Sequence, residues 1–178
     1  MKILGLSGSL RAVSSNTALL RAAAALAPAG VEVVLYAGLG DLPHFNPDVE
    51  ENPPLPPAVE DLRARVGEAD GLLISCPEYA HGVPGAFKNA LDWLVGGPEF
   101  VYKPVALLNA SPRSSHAQAA LAETVTVMSG RLVSEASIPV PLSGRKLDAE
   151  GIAASPELAE LIRGALAAFA QAIEGFRG

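Results

Sequence analysis

Five short, nearly unbroken apolar runs punctuate this chain: Ile3–Ser7, Val31–Tyr36, Gly71–Cys76, Val105–Asn109 and the weaker Ser137–Val140. A strand with one wet face alternates apolar and polar side chains, so runs without alternation belong to strands buried on both faces. Segments of helical period lie between them. Helices are predicted over Thr17–Ala27, Ala58–Glu68 and Gly85–Val95, and from Ser115 to about Met128, where Ser115 and Gln118 form a capping box. A last helix begins at Ser155-Pro156 and carries Leu158, Leu161, Ile162, Leu166, Phe169, Ile173 and Phe176 at helical spacing.

Strand followed by helix, five times over, implies a parallel sheet covered by helices on both faces. Right-handed crossovers then leave few topologies, and five strands suggest a flavodoxin-like doubly wound α/β sheet in the order 2-1-3-4-5. Ligands of such sheets sit beyond the strand C-terminal ends, where the order switches. That rule gathers three loops, Ser7–Asn16, Pro77–Pro84 and Asn109–His116, around one crevice. No repeat or boundary divides the 178 residues, which read as one domain, 1–178. Ala37–Pro57, with eight glycines and prolines, is too broken for a regular element, and its Pro-Pro-Leu-Pro-Pro run reads as a linker into the next helix. Ser143–Ser155 reads as a polar, mobile crossing.

Charge narrows the partners. A net charge of -6 and a pI near 5.0 argue against nucleic acid and anionic membranes. An anionic ligand would therefore rely on local dipoles and local cations. The single cysteine, Cys76, cannot form an internal disulfide, which suits a reducing compartment. No leader-like or membrane-length apolar run is present, so the expected location is cytoplasmic.

The first loop carries the strongest chemistry. Gly8-Ser9-Leu10-Arg11-Ala12-Val13-Ser14-Ser15-Asn16-Thr17 joins a buried strand to a helix start. N–H groups at a helix N-terminus lack intrahelical partners and carry the positive end of the dipole. Serine and threonine hydroxyls add neutral donors and Arg11 a forked cationic one, a combination suited to a phosphate. An ordinary capped turn is the plainer alternative, but a cap needs one such residue, not five. The glycine spacing fits neither G-x-G-x-x-G nor the nucleoside-triphosphate loop, and G-L-S-G is not a nucleophile elbow.

The second loop, Cys76-Pro77-Glu78-Tyr79-Ala80-His81-Gly82-Val83-Pro84-Gly85, has two prolines and two glycines. They fix its backbone, so that main-chain groups and the Tyr79 face can meet a flat heteroaromatic ring. Tyr79 and His81 alternatively decorate an exposed turn. Cys76 reads as a small buried strand-end residue in preference to a nucleophile.

Gly8-Ser9-Leu10-Arg11-x-x-Ser14-x-Asn16, together with Pro77-Glu78-Tyr79-x-x-Gly82-x-Pro84-x-x-x-Lys88-Asn89-x-x-Asp92-Trp93, resembles the NADPH-dependent FMN reductase family. The resemblance spans the chain and includes Asp41-Leu42-Pro43-x-Phe45-Asn46. It implies that Ser9, Arg11, Ser14, Ser15, Asn16 and Thr17 hold an FMN phosphate. Pro77, Glu78 and Tyr79 would line the isoalloxazine largely through main-chain contacts, beside Ala80, His81 and Gly82, and Ser111 lies in the third flavin loop. Lys88, Asn89, Asp92 and Trp93 match a stretch often found at the subunit interface, where a structural role is implied. A homodimer or dimer-of-dimers tetramer follows, with Trp93 and Phe45-Asn46 as contact points.

The third loop, Asn109-Ala110-Ser111-Pro112-Arg113-Ser114-Ser115-His116, departs from the glycine-rich form of relatives. Arg113 either neighbours a flavin edge or points to solvent. The implied activity is hydride transfer from NADPH, with NADH as the alternative, through bound FMN to a small acceptor (flavin, quinone, chromate or azo compound) in a ping-pong cycle. The cofactor carries the chemistry, so no side chain is named as nucleophile or base. The rival class is a flavodoxin-type carrier without pyridine-nucleotide activity, against which Arg11 counts. Arg113, Arg145 and Lys146 are basic residues within possible reach of a 2′-phosphate.

Overall fold

In the computed structural model, which describes residues 1–177, one parallel sheet organises the chain. Strands β1 (Lys2–Ser7), β2 (Glu32–Leu35), β3 (Gly71–Ser75), β4 (Pro104–Asn109) and β5 (Arg131–Leu132) run in the order β2-β1-β3-β4-β5. Ile3 pairs with Val33 on one side and Gly71 on the other, and Leu72 with Val105. The helices are α1 (Ser15–Ala25), α2 (Pro47–Glu50), α3 (Pro57–Glu68), α4 (Gly85–Val95), α5 (Ser115–Val127), α6 (Ala149–Ala154) and α7 (Pro156–Arg177).

Alternation inside the apolar runs separates two cores. Ile3, Leu73, Ala106 and Leu108 pack on the face that holds Leu19 and Leu20 of α1, Ile152 of α6 and Phe169 of α7. Leu4, Leu72, Ile74, Val105 and Leu107 pack with Leu62 of α3, Phe87 and Leu91 of α4 and Leu121 of α5. Each fully buried Leu, Ile or Phe contributes roughly 1.5–3 kcal/mol, so the two-sided burial sustains the sheet. The expected fold and strand order are those observed.

Several local expectations are corrected. The fifth strand is split: β5 pairs with the start of β4, and a separate β6 (Ile138–Pro139) pairs with its end at Leu108 and Asn109. Ser137 lies in the gap, where its Oγ accepts from Leu107 N at 3.1 Å and donates to Val133 O at 2.8 Å. The side chain thereby serves a strand N–H that the missing backbone partner leaves open. Helix α1 starts at Ser15, two residues before the expected Thr17, because extended Ser14 caps it by accepting from Thr17 N.

Ala37–Pro57 does contain regular structure: α2 starts at Pro47 and is capped by Asn46 Oδ1, which accepts from Asp48 N at 3.0 Å. The Ser143–Ser155 crossing likewise holds α6, capped by Asp148 and anchored by fully buried Ile152. Both are too short to show periodicity. Trp93 is wholly buried within the subunit, which corrects its reading as a contact point. Its Nε1 and Asn89 Nδ2 donate to Pro43 O at 2.8 and 2.9 Å, and Asn89 Oδ1 accepts from Phe45 N at 2.7 Å. This stretch holds the Pro43–Phe45 loop onto α4. Among the described residues no helix is long and apolar enough to cross a membrane.

Candidate functional site

Three loops leave the C-terminal ends of β1, β3 and β4 side by side, as the topology dictates. The first is tied down before it turns. Gly8 N donates to Ser75 O at 2.9 Å, and a Cβ on Gly8 would lie 2.5 Å from Cys76 Sγ, so only glycine fits beneath this loop. Ser7 Oγ and Thr17 Oγ1 share a hydrogen bond at 2.8 Å across the turn. Ser9 Oγ accepts from Arg11 N at 3.3 Å. Asn16 is buried, and its Oδ1 accepts from Ser75 Oγ at 2.9 Å, which leaves Nδ2 as the group it can offer a ligand. Helix geometry leaves the Ser15 and Asn16 N–H groups without intrahelical acceptors. Arg11 is exposed and makes no ion pair among the described residues.

The second loop closes as a two-residue hairpin. Tyr79 N donates to Gly82 O at 3.1 Å and Gly82 N to Tyr79 O at 2.9 Å. Ala80 and His81 sit at φ 49° and 60°, the left-handed pair of a type I′ turn, normally filled by Asn and Gly. Such strain persists only where the surroundings hold it. Here the His81 ring stacks on His116 of α5, centroids 4.3 Å apart, and Glu78 Oε2 accepts from Ala117 N at 2.8 Å. Glu78 therefore satisfies a free N–H at the α5 terminus. The expected Ser115–Gln118 capping box does not form, since Ser114 occupies the cap position without a side-chain bond. Burial alone pushes the Cys76 thiol up to about 12, which removes it as a thiolate nucleophile.

The third loop is organised from within. Asn109 Oδ1 accepts from Ser111 N at 3.0 Å, and Ser114 N donates to Ser111 O at 2.9 Å. Ser143 Oγ donates to Ser111 Oγ at 2.8 Å from across the crevice.

Ser15, Asn16, Pro77, Glu78 and Ser111 come together around a cleft of about 350 Å³, joined by Ser143, Gly144, Arg145 and Lys146. Arg11, Ser14, Ser15 and Thr17 line an adjoining recess of about 580 Å³. Ser9 lies half-buried between Gly8 and exposed Leu10, while Tyr79, Ala80, His81 and Gly82 form the hairpin beyond Glu78. Arg113 is exposed and lines neither cavity. The Ser143–Lys146 segment reads in the sequence as a polar crossing, with Arg145 and Lys146 near a 2′-phosphate, but not as a wall of the cleft, although it follows a strand end and so obeys the rule that gathered the other loops. Asn109 and Ser75 were also missed, because their partners are buried loop and helix groups.

The cleft suits FMN chemically. It offers free helix N–H groups, hydroxyls and a nearby arginine at one end, and fixed main chain at the other. The one carboxylate in its lining, Glu78, is already bonded. The model of the NADPH-dependent FMN reductase family matches residues 1–139. An NAD(P)H-dependent FMN reductase of Pseudomonas aeruginosa is 35% identical over 183 aligned positions, covering 100% of this chain and 98% of that one. A quinone reductase of Escherichia coli K12 is 37% identical over 113 residues, 62% of this chain and 60% of that one. The solved structure of a flavoenzyme NAD(P)H:(acceptor) oxidoreductase from Paracoccus denitrificans superposes with a TM-score of 0.80 at 30% identity, covering 98% and 97% of the two chains.

Proposed function

The chain belongs to the NADPH-dependent FMN reductase family, and from that premise we propose that it passes electrons from NADPH through FMN to a small acceptor, in a ping-pong cycle. It is an oxidoreductase that uses FMN and NAD(P)H. Bound FMN supplies the hydride-accepting ring, and the residues supply its place.

Ser9, Arg11, Ser14, Ser15, Asn16 and Thr17 hold the phosphate. The α1 N-terminus provides backbone donors, Asn16 provides Nδ2, and the Ser7–Thr17 bond sets the loop. Pro77, Glu78 and Tyr79 would flank the ring through main chain, with Ser111 of the third loop lining the same cleft as Pro77 and Glu78. The Ala80–His81 turn and half-exposed Tyr79 border the open face. In such a cycle reductant and acceptor would take turns at that face. Positioning two rings at contact distance is the main demand on the protein, and no side chain acts as nucleophile or base. Residues 1–178 act as one FMN-binding domain, a reading supported by the single sheet with its two continuous cores. Exposed Leu10 and Tyr79 beside the cleft favour a homodimer or dimer-of-dimers tetramer, and the lone buried cysteine suits the cytoplasm.

The observation that carries this reading is the cleft shared by the α1 N-terminus, Pro77-Glu78 and Ser111. The test is spectroscopic. Protein incubated with FMN and desalted should keep the flavin bands, and anaerobic NADPH should bleach them within the mixing time. A colourless sample would overturn the reading. Flavin that stays oxidised in NADPH would instead indicate a carrier. An acceptor panel of free flavin, quinone, chromate and azo dye then identifies the oxidant.

A further inference from the structure

The recess adjoining the cleft has a composition of its own. Its volume is about 580 Å³, and it runs between the outer side of α1 and residues 145–149. Four of the chain's 13 lysines and arginines line it: Arg11, Arg21, Arg145 and Lys146. In a chain of net charge -6 this is a local reversal of the field. Arg11 belongs to the FMN phosphate in the reading above, which leaves Arg21 and Lys146 with no ion pair to any described residue and Arg145 reaching Glu157 only at 4.0 Å. The lone carboxylate of the lining, Asp148, has Oδ1 engaged by Gly151 N.

Cations gathered without partners repel one another, and an anion between them removes that cost. The recess is not merely ionic. Val13, 84% exposed, and half-buried Leu147 give it apolar wall, which a bare phosphate would not use but a purine would. Its position is fixed by a turn, in which Arg145 N donates to Leu142 O at 3.0 Å and Gly144 takes φ 79°. That turn makes Arg145 and Lys146 a shared wall, so the recess continues the cleft past Ser15.

We infer that this recess is the subsite for a second phosphate carried on an adenosine, held beyond the loop that grips FMN. The inference rests on the reading of Ser9–Thr17 as the FMN phosphate loop. Two molecules present that chemistry: NADPH through its 2′-phosphate, and FAD through its adenylate. The 2′-phosphomonoester is a dianion, whereas each phosphate of a dinucleotide bridge carries one charge, so the unpaired cations match NADPH better. The subsite thus makes the enzyme prefer NADPH to NADH.

Calorimetric titration of the FMN-loaded protein with 2′,5′-ADP, against 5′-AMP and inorganic phosphate, tests this directly. 2′,5′-ADP should bind and compete with NADPH, with the controls far weaker. Arg21→Gln removes an exposed cation of the recess that lies outside the cleft. Loss of one charge-assisted contact should raise the KM for NADPH about tenfold and weaken 2′,5′-ADP equally. The KM for NADH and the FMN content should hold, and R21Q/K146Q should enlarge the NADPH effect. In a second arm, apoprotein that binds FAD more tightly than FMN, with the difference lost in R21Q, would assign the subsite to FAD. If 2′,5′-ADP binds no better than 5′-AMP and FAD no better than FMN, the subsite is refuted while FMN binding stands. Failure to retain FMN at all would strike the earlier reading instead.

Discussion

Cys76 sits directly under the loop that follows β1, in the space a side chain on Gly8 would need. The same burial that excludes a Cβ there keeps the thiol protonated, with its pKa raised from 9.0 to about 12. An unfolded chain releases this proton near pH 9.0 and the folded one does not. The thiol's contribution is therefore intact below pH 9.0 and is lost as pH rises toward 12. Above pH 9.0 the wild type should lose about 1.4 kcal/mol per pH unit relative to Cys76→Ala, measured by urea unfolding. Parallel slopes for the two proteins would refute it, as would rapid iodoacetamide labelling of the native thiol at pH 8. Residue roles were legible in proportion to how local their partners are. Ser14 offered the plainer reading of a capped turn, and its Oγ does accept from Thr17 N of its own helix. Asn16 was read only as a phosphate ligand, because Ser75, which engages its Oδ1, lies 59 positions away.

At the scale of elements, Glu78 shows one group joining two of them. Its carboxylate belongs to the loop after β3 but serves the N-terminus of α5. Glu78→Ala leaves Ala117 N without its acceptor and removes a charge favourable to the helix dipole, at a cost of about 1–2 kcal/mol. FMN affinity should fall with it as the strained Ala80–His81 turn loosens, and Glu78→Gln should restore most of both. Urea midpoints and FMN titration of the two variants check this. Lost FMN binding at unchanged stability would make Glu78 a direct ligand instead.

The capping box at Ser115 misled because its spacing is right while a carboxylate 39 residues away supplies the bond. Gly85–Val95 was read to the residue, since Phe87, Leu91 and Leu94 mark one face and prolines and glycines mark the ends. The four-residue α2 and six-residue α6 had no periodicity to read, only the caps Asn46 and Asp148. The second and third strands were legible as continuous runs. The split of the last was not, because a side-chain hydroxyl replaces the backbone in its gap.

For the whole molecule, charge is arranged against the net sign. A chain at -6 that offers Arg11, Arg21, Arg145 and Lys146 along one recess draws anions to that recess by a field that salt shortens. Raising ionic strength from 0.01 to about 0.15 M cuts the screening length from about 30 to 8 Å. The KM for NADPH should accordingly rise across this range more steeply than that for NADH. Arg21→Gln should flatten the difference, and identical salt slopes for the two nucleotides would contradict it.

The divided last strand has a consequence for how the molecule meets others of its kind. Beyond β4 the sheet ends in two fragments of two residues each, separated by the Ser134–Ala136 turn. A foreign strand docking there would find no continuous row of free N–H and C=O groups. Ser137, which closes the gap from inside, thus makes this border a poor template for aggregation.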